Sequence, residues 1–396
     1  MTAKSEALKL LGTGIGRALG VSEKEALKMA NNVAAKEYER AALNSVGGLH
    51  PEHPVAIRES LMGLQPTGLD VANLPTGAQL LKNPNLPQIR NAIESNMVNF
   101  DKRMVGKDKS GQGWYDLANI EAMKIGEKAG FSNPAKQSDI GAAILAITSP
   151  KNVWDANIST GSRAALGLRS GELQKFAEQL ADSGAKSFQE ARDAGIRIPA
   201  TASKIFPTQI VKLIKAMDAQ GGVGVMNPFD NAIKTDAFYG AIRLPSSIRK
   251  MLIKKGVMDK NERILDPDYM INGVRLGDIA TMPTIDKFEG AKSLGLSGMG
   301  YGLPLKTLDD AKGYRVFSDA MTNAAQRAGV LTPDFQSRGW VAMHNVYPNQ
   351  NVTGGAGIVQ PSIEQSLQAF RDTGNLTPQL LTIINNSLQR GAGLFG

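Results

Sequence analysis

The sequence contains no cysteine in its 396 residues. That absence removes disulfides, thiolate zinc sites, thiol nucleophiles and cysteine-ligated iron–sulfur clusters together. Histidine is nearly as scarce, with three in the chain. Two of these, His50 and His53, stand in a proline-rich His-Pro-Glu-His loop with no carboxylate partner at ligand spacing, so no metal site is expected. No apolar run approaches the ~20 residues that span a bilayer. The opening MTAKSEALKLLGTGIGRALG lacks the long apolar segment and cleavage site of a secretion signal. A soluble, intracellular protein is therefore expected. The short glycine runs GGVG and GMGYG have no following Gly-Lys-Ser/Thr and no strand–helix context, so neither reads as a nucleotide loop and no cofactor is expected.

What is present is ordinary in bulk and unusual in charge. Hydrophobic residues make up 42% and charged residues 21%, which is the composition of a globular chain rather than a disordered one. The length allows two or three domains. The 42 glycines follow no fixed period, which excludes collagen and repeat arrays. The formal net charge is +8 and the isoelectric point about 9.4, a balance that favours an anionic partner, nucleic acid above all. A basic surface that only keeps the protein soluble is the alternative.

Periodicity predicts a mainly α protein. Residues 22–46 form one helix, with Ser22 and Glu25 at capping-box spacing and Gly47-Gly48 as its stop. Residues 47–90 are proline-rich and read as an arm or linker that carries a domain boundary. From 91 to 345 the segments IRNAIESNMVNF, WYDLANIEAMKIGEKAG, DIGAAILAIT, GELQKFAEQLADSG, PTQIVKLIKAMDAQ and GYRVFSDAMTNAAQRAG all recur at helical period. Extended pieces are few, and NGVRLGDIA predicts a small hairpin near 270–282. Residues 346–396 read as a loop followed by short closing helices. The organisation expected is thus N-terminal helices over 1–46, an arm over 47–90, a helical domain over 91–345 and a tail over 346–396.

Two features within the helical domain carry chemistry. In TMPTIDKFEGAKSLG, residues 281–295, Asp286 follows a short extended run and precedes a helical segment. Such an aspartate is either a helix cap or a catalytic acid kept ionised by the amides at the helix entrance. In RLPSSIRKMLIKKGVMDKNER, residues 243–263, seven Lys and Arg face two acids, the densest basic stretch of the chain. Arg243, Arg249, Lys250, Lys254 and Lys255 are its candidate phosphate contacts; the alternative is the solvated face of an amphipathic helix.

Five islands run in order through the same region: GWYDLA (113–118), ITSPKNVWDAN (147–157), NAIKTDAFYGAI (231–242), PTIDKFEGAKSLG (283–295) and DFQSRGWVAM (334–343). Together they resemble an uncharacterised group of bacteriophage proteins, and that group is distantly similar to helix-hairpin-helix DNA glycosylases of the endonuclease III type. The resemblance covers about residues 110–345. It implies a helical glycosylase-like core that binds double-stranded DNA, with Lys234 at the family's lysine position and Asp286 at its aspartate position. The carboxylate would stabilise positive charge on a sugar as the base departs, and the lysine would attack the same carbon. The base would have to be flipped from the stack first. Trp154, Asn157, Tyr239, Gln336 and Trp340 are the matching candidates for a pocket, with tryptophan packed in a core as the competing reading. Two functions follow. One is a phage DNA-binding protein that acts on a base in the infected cell. The other is a non-enzymatic component, in the virion or ejected from it, that holds DNA or assembles with itself or other phage proteins.

Overall fold

The computed structural model describes residues 65–105, 111–149, 154–218, 233–285 and 306–346, apart from 71, 72, 203, 204 and 272, together with 290, 293 and 294. The chain divides into two units, residues 1–61 and 62–396, and every described residue lies in the second. The expected N-terminal helix over 22–46 and the tail beyond 346 lie outside the described residues.

The second unit is mostly helical. Its helices are α1 (Gly77–Leu81), α2 (Leu86–Phe100), α3 (Trp114–Lys128), α4 (Pro134–Thr148), α5 (Trp154–Arg169), α6 (Glu172–Ser183) and α7 (Phe188–Asp193). They continue as α8 (Pro207–Asp218), α9 (Ile233–Arg243), α10 (Ser246–Lys254), α11 (Lys306–Asp309), α12 (Ala311–Arg327) and α13 (Thr332–Val346). One antiparallel pair interrupts them, β1 (Met270–Ile271) with β2 (Val274–Arg275), at the place where a hairpin was expected. Gly273, just before β2, holds φ +78°, the left-handed conformation that a tight hairpin turn needs and glycine adopts without cost.

The helix limits follow local chemistry. Thr76 and Gln79 form a capping box on α1, Asn133 caps α4 with Pro134 in the first turn, and Asp310 caps α12. The expected linker over 47–90 is corrected at its end. Pro87 sits in the first turn of α2, where a missing amide costs no hydrogen bond, so proline there opens a helix rather than preventing one. Leu80 and Ile89 are buried in the core, which places this part of the arm inside the folded unit.

Two apolar clusters hold the helices. The first joins α3, α4, α5, α6, α8, α9, α10 and the hairpin; the second joins α1, α2 and α12 with Ile285, Leu294 and Phe335. Helix α9 serves both, through Phe238, Tyr239, Ala241 and Ile242 on one side and Ala237 on the other. At the centre lies α4, buried at every position from Ser138 to Thr148, as an all-round apolar helix must be. It runs antiparallel to α3 at backbone contact. A Cβ on Gly141 would lie 1.7 Å from the Ala122 carbonyl oxygen, and one on Gly126 would lie 2.1 Å from that of Gln137.

Gly141→Ala is therefore expected to lower stability by at least about 2–3 kcal/mol, because the obstacle is backbone and cannot move aside. Gly161→Ala on α5 is the contrast. Its Cβ meets only side-chain ends at 3.3–3.4 Å, and alanine's helix propensity gains roughly 1 kcal/mol, so the net change should stay within about 1 kcal/mol. Denaturant melts of the two variants distinguish these outcomes; equal effects would contradict the backbone-contact account.

Candidate functional site

Lys234 lies in the first turn of α9 and is exposed. Asp286 lies outside the described residues, but the backbone that leads to it is fixed. The buried Ile285 donates its amide to Tyr314 Oη at 2.7 Å, and the same hydroxyl donates to the Pro283 carbonyl at 3.1 Å. Ile285 shares the second apolar cluster with Ala237, and Ile233 packs against that cluster. The chain neighbours of Lys234 and of Asp286 thus meet in one core.

The candidate pocket residues separate into different surroundings. Asn157 is fully buried and ties α5 to α4: its Oδ1 accepts from Thr148 Oγ1 at 2.5 Å and its Nδ2 donates to the Leu145 carbonyl at 3.0 Å. Those bonds occupy the amide, so its role is a helix-to-helix clasp rather than a pocket wall. Trp154 opens α5, and its side chain lies outside the described residues. Gln336 is buried, with Oε1 lacking a hydrogen-bond partner among the described residues. Trp340, half-buried, tilts against Trp114 at 5.7 Å between ring centroids. Trp114 also stacks on Phe238 at 6.3 Å and meets Tyr115 edge-on at 4.8 Å. Residues from three distant islands, 113–118, 231–242 and 334–343, therefore converge on one aromatic cluster, which is the core packing weighed for the tryptophans.

Tyr239 belongs to a buried polar network instead of a cavity wall. Its hydroxyl donates a short hydrogen bond to Asp139 Oδ1, and Arg243 Nε lies 3.6 Å from the same carboxylate. Arg243 also donates to Ser138 Oγ at 2.9 Å. Burial pushes the Asp139 carboxyl up, while Arg243 and the Tyr239 hydroxyl hold it down. The same burial, reinforced by the Asp139 charge, pushes the Tyr239 phenol well above its ordinary value, so tyrosine stays the donor.

Two of the five expected phosphate contacts are corrected. Arg243 is 1% exposed, and so is Arg249, whose Nη1 pairs with Glu262 Oε2 at 2.5 Å. Arg249 also donates to the carbonyls of Leu244 and Thr281, both at 2.9 Å. Glu262 completes the tie by accepting from the amide and hydroxyl of Thr332 at the start of α13, each at 2.7 Å. It holds φ +61°, a left-handed conformation unusual for glutamate and sustained here by this set of bonds. A charge with this many fixed partners is internal structure, unavailable to a phosphate.

Lys250, Lys254 and Lys255 point the other way. With Met251 they form the exposed stripe of α10, while Arg249 and Leu252 form its buried side. Lys260 and Arg263, just beyond the helix, are exposed as well. Lys255 Nζ donates to Tyr269 Oη at 2.9 Å, joining the helix to the residue before the hairpin.

Sequence reasoning missed a pair of buried carboxylates. Asp116, in the first turn of α3, accepts from the amide of Ser247 at 3.2 Å and, in a shorter bond, from its hydroxyl. Asp334, in the first turn of α13, accepts from the Gly113 amide at 3.0 Å. Burial pushes the Asp334 carboxyl up and the Asp116 charge adds to it; the Gly113 amide, the Ser246 hydroxyl and Lys250 oppose them. Both aspartates stood inside the islands, but an acid in a first turn reads equally as a solvated cap. Among the described residues no three acidic or histidine side chains group as metal ligands would, and no helix is long and apolar enough to cross a membrane. Comparison of the chain with protein-family models, curated proteins and solved structures gives no match.

The Asp334 carboxyl gives a pH test. Its folded pKa lies above the ordinary 3.8, so the folded protein holds that proton more tightly than the unfolded chain. The charged form is a burden that is full above the folded pKa and disappears as pH falls toward 3.8. Asp334→Asn keeps an acceptor for Gly113 and removes the charge. It should match or exceed wild-type stability at about pH 8, with the advantage shrinking as pH falls toward about 4. An advantage that grows on acidification would contradict the assignment.

Proposed function

We propose that this chain is a DNA-binding protein whose contact surface is the lysine stripe of α10 and the turn that follows. The observation that carries the reading is the partition of one basic stretch: its arginines Arg243 and Arg249 are internal, while Lys250, Lys254 and Lys255 face outward beside Lys260 and Arg263. Lysines on long, exposed stems suit phosphates as point charges and carry no base specificity. Binding of this kind is driven by counterion release, so it is strongly salt-dependent and tolerant of sequence. The net charge of +8 acts in the same direction.

Titration of the full chain into labelled duplex DNA over a range of salt tests the proposal. Wild-type affinity should fall steeply with salt, and replacing Lys250, Lys254 and Lys255 by glutamate should reduce the magnitude of the log–log slope by roughly three. An unchanged slope, or no binding at low salt, overturns the reading.

A second reading, base excision in the manner of the glycosylases this chain resembles, is favoured by the meeting of Ile233, Ala237 and Ile285 in one cluster. These residues flank Lys234 and Asp286. In that reaction Lys234 Nζ bonds to the sugar's anomeric carbon as the bond to the base breaks. The base leaves as the neutral heterocycle, taking up a proton, and loss of the amine proton with ring opening gives an imine. Asp286 stabilises the positive charge that develops on the sugar. Borohydride should then trap a protein–DNA adduct on a duplex that carries a damaged or mismatched base. Lys234→Gln should abolish the trapping and Asp286→Asn should reduce it sharply. Absence of base release from every such duplex would remove this second reading and leave the first intact.

A further inference from the structure

On the exposed stripe of α10 the lysines surround an apolar side chain. Met251 is 38% exposed, flanked in sequence by Lys250 and one helical turn from Lys254 and Lys255. Neighbouring residues three and four apart on a helix lie within about 6 Å of one another, so an anion that meets these lysines also meets the methionine. Two further large apolar side chains are bare on the segment that returns past the helix, Leu265 at 60% and Met270 at 54%. Leu265 is held near the end of α10 by its amide bond to the Val257 carbonyl, at 2.9 Å. The Lys255–Tyr269 bond holds the start of the hairpin, and hence Met270, beside the same end. The fold has a reason to hide these groups and does not.

An intact duplex offers a lysine stripe phosphate and sugar, with the faces of its bases stacked inside. A single strand or an unstacked segment offers phosphates and apolar base faces together. We infer that the α10 stripe binds unpaired nucleic acid, with Lys250, Lys254 and Lys255 on the phosphates and Met251, assisted by Met270, against exposed base faces. Methionine is suited to the task, since a flexible, polarizable side chain accepts any base. This inference rests on the DNA-binding reading above and names the form of nucleic acid that the same surface prefers.

Fluorescence anisotropy of the full chain against three labelled ligands of equal length tests it: a mixed-sequence single strand, the same strand with abasic sites throughout, and the duplex. The single strand should bind most tightly, and its advantage should persist at raised salt, because contact with bases releases no counterions. Met251→Gln preserves the helix and should lower single-strand affinity about fivefold, the change that burying one half-exposed methionine supports, while leaving the abasic strand unaffected. Met251→Phe should act in the opposite direction, which guards against a variant that is only misfolded; unfolding midpoints of both variants provide the second check. Equal affinity for all three ligands, indifferent to both variants, overturns the inference and leaves the electrostatic reading standing. Failure to bind any of the three at low salt overturns both.

Discussion

Asp139 is a carboxylate that is 1% exposed, on the helix against which α3, α5, α8 and α9 pack. A charge in that position is tolerable only with a positive partner and a donor at fixed distance, and it has Arg243 and Tyr239 as both. Those two residues stand one turn apart on α9. The consequence is that α9 cannot slide or rotate on α4 without separating a buried charge from its counter-charge. The glycine contacts between α3 and α4 fix the other side of the central helix, because backbone pressed on backbone leaves no alternative register. Gly240 adds a third contact of the same kind, its absent Cβ admitting the Ala280 carbonyl against α9.

The rotation of α9 decides what the protein presents to solvent. Leu244 and Pro245 lead directly from α9 into α10, so the setting of one helix is handed to the next. Arg249 then turns inward to Glu262, and through Glu262 to Thr332 at the start of α13. With Arg249 and Leu252 inside, helical geometry leaves Lys250, Met251, Lys254 and Lys255 outside. The proposed binding surface is thus the outer consequence of two internal ion pairs, with Lys255 also tied to Tyr269 before the hairpin.

Much of this was legible in the sequence. The helical period located α2, α3, α6 and α12 closely, and glycines with positive φ at 130, 184 and 329 end three of the segments that carry that period. The hairpin was expected from one extended segment and lies there. The direction of the arginines was not legible from charge density, since a count of Lys and Arg does not distinguish an outward ammonium from a buried guanidinium. One signal was available. Arg249 stands three residues before Leu252, on the apolar side of α10, and guanidinium is the cation that proteins bury when carboxylates and carbonyls can surround it. The clasp made by Asn157 and the paired Asp116 and Asp334 were beyond reach for a different reason: their partners lie in other helices, and one sequence carries no record of which helices touch. Proline near 87 misled because its meaning depends on position within a helix, not on the residue alone.

Chemical footprinting of the native full-length protein tests the central claim most directly, because it reads both halves of the partition at once. Lysine acylation and arginine modification by a dicarbonyl reagent, mapped by mass spectrometry with and without single-stranded DNA, report which basic groups are outside and which of those become covered. The account predicts that Arg243 and Arg249 resist modification in both states, and that Lys250, Lys254 and Lys255 react freely alone and are shielded by DNA. Modification of either arginine in the folded protein, or undiminished reaction of the three lysines in the bound state, would contradict it.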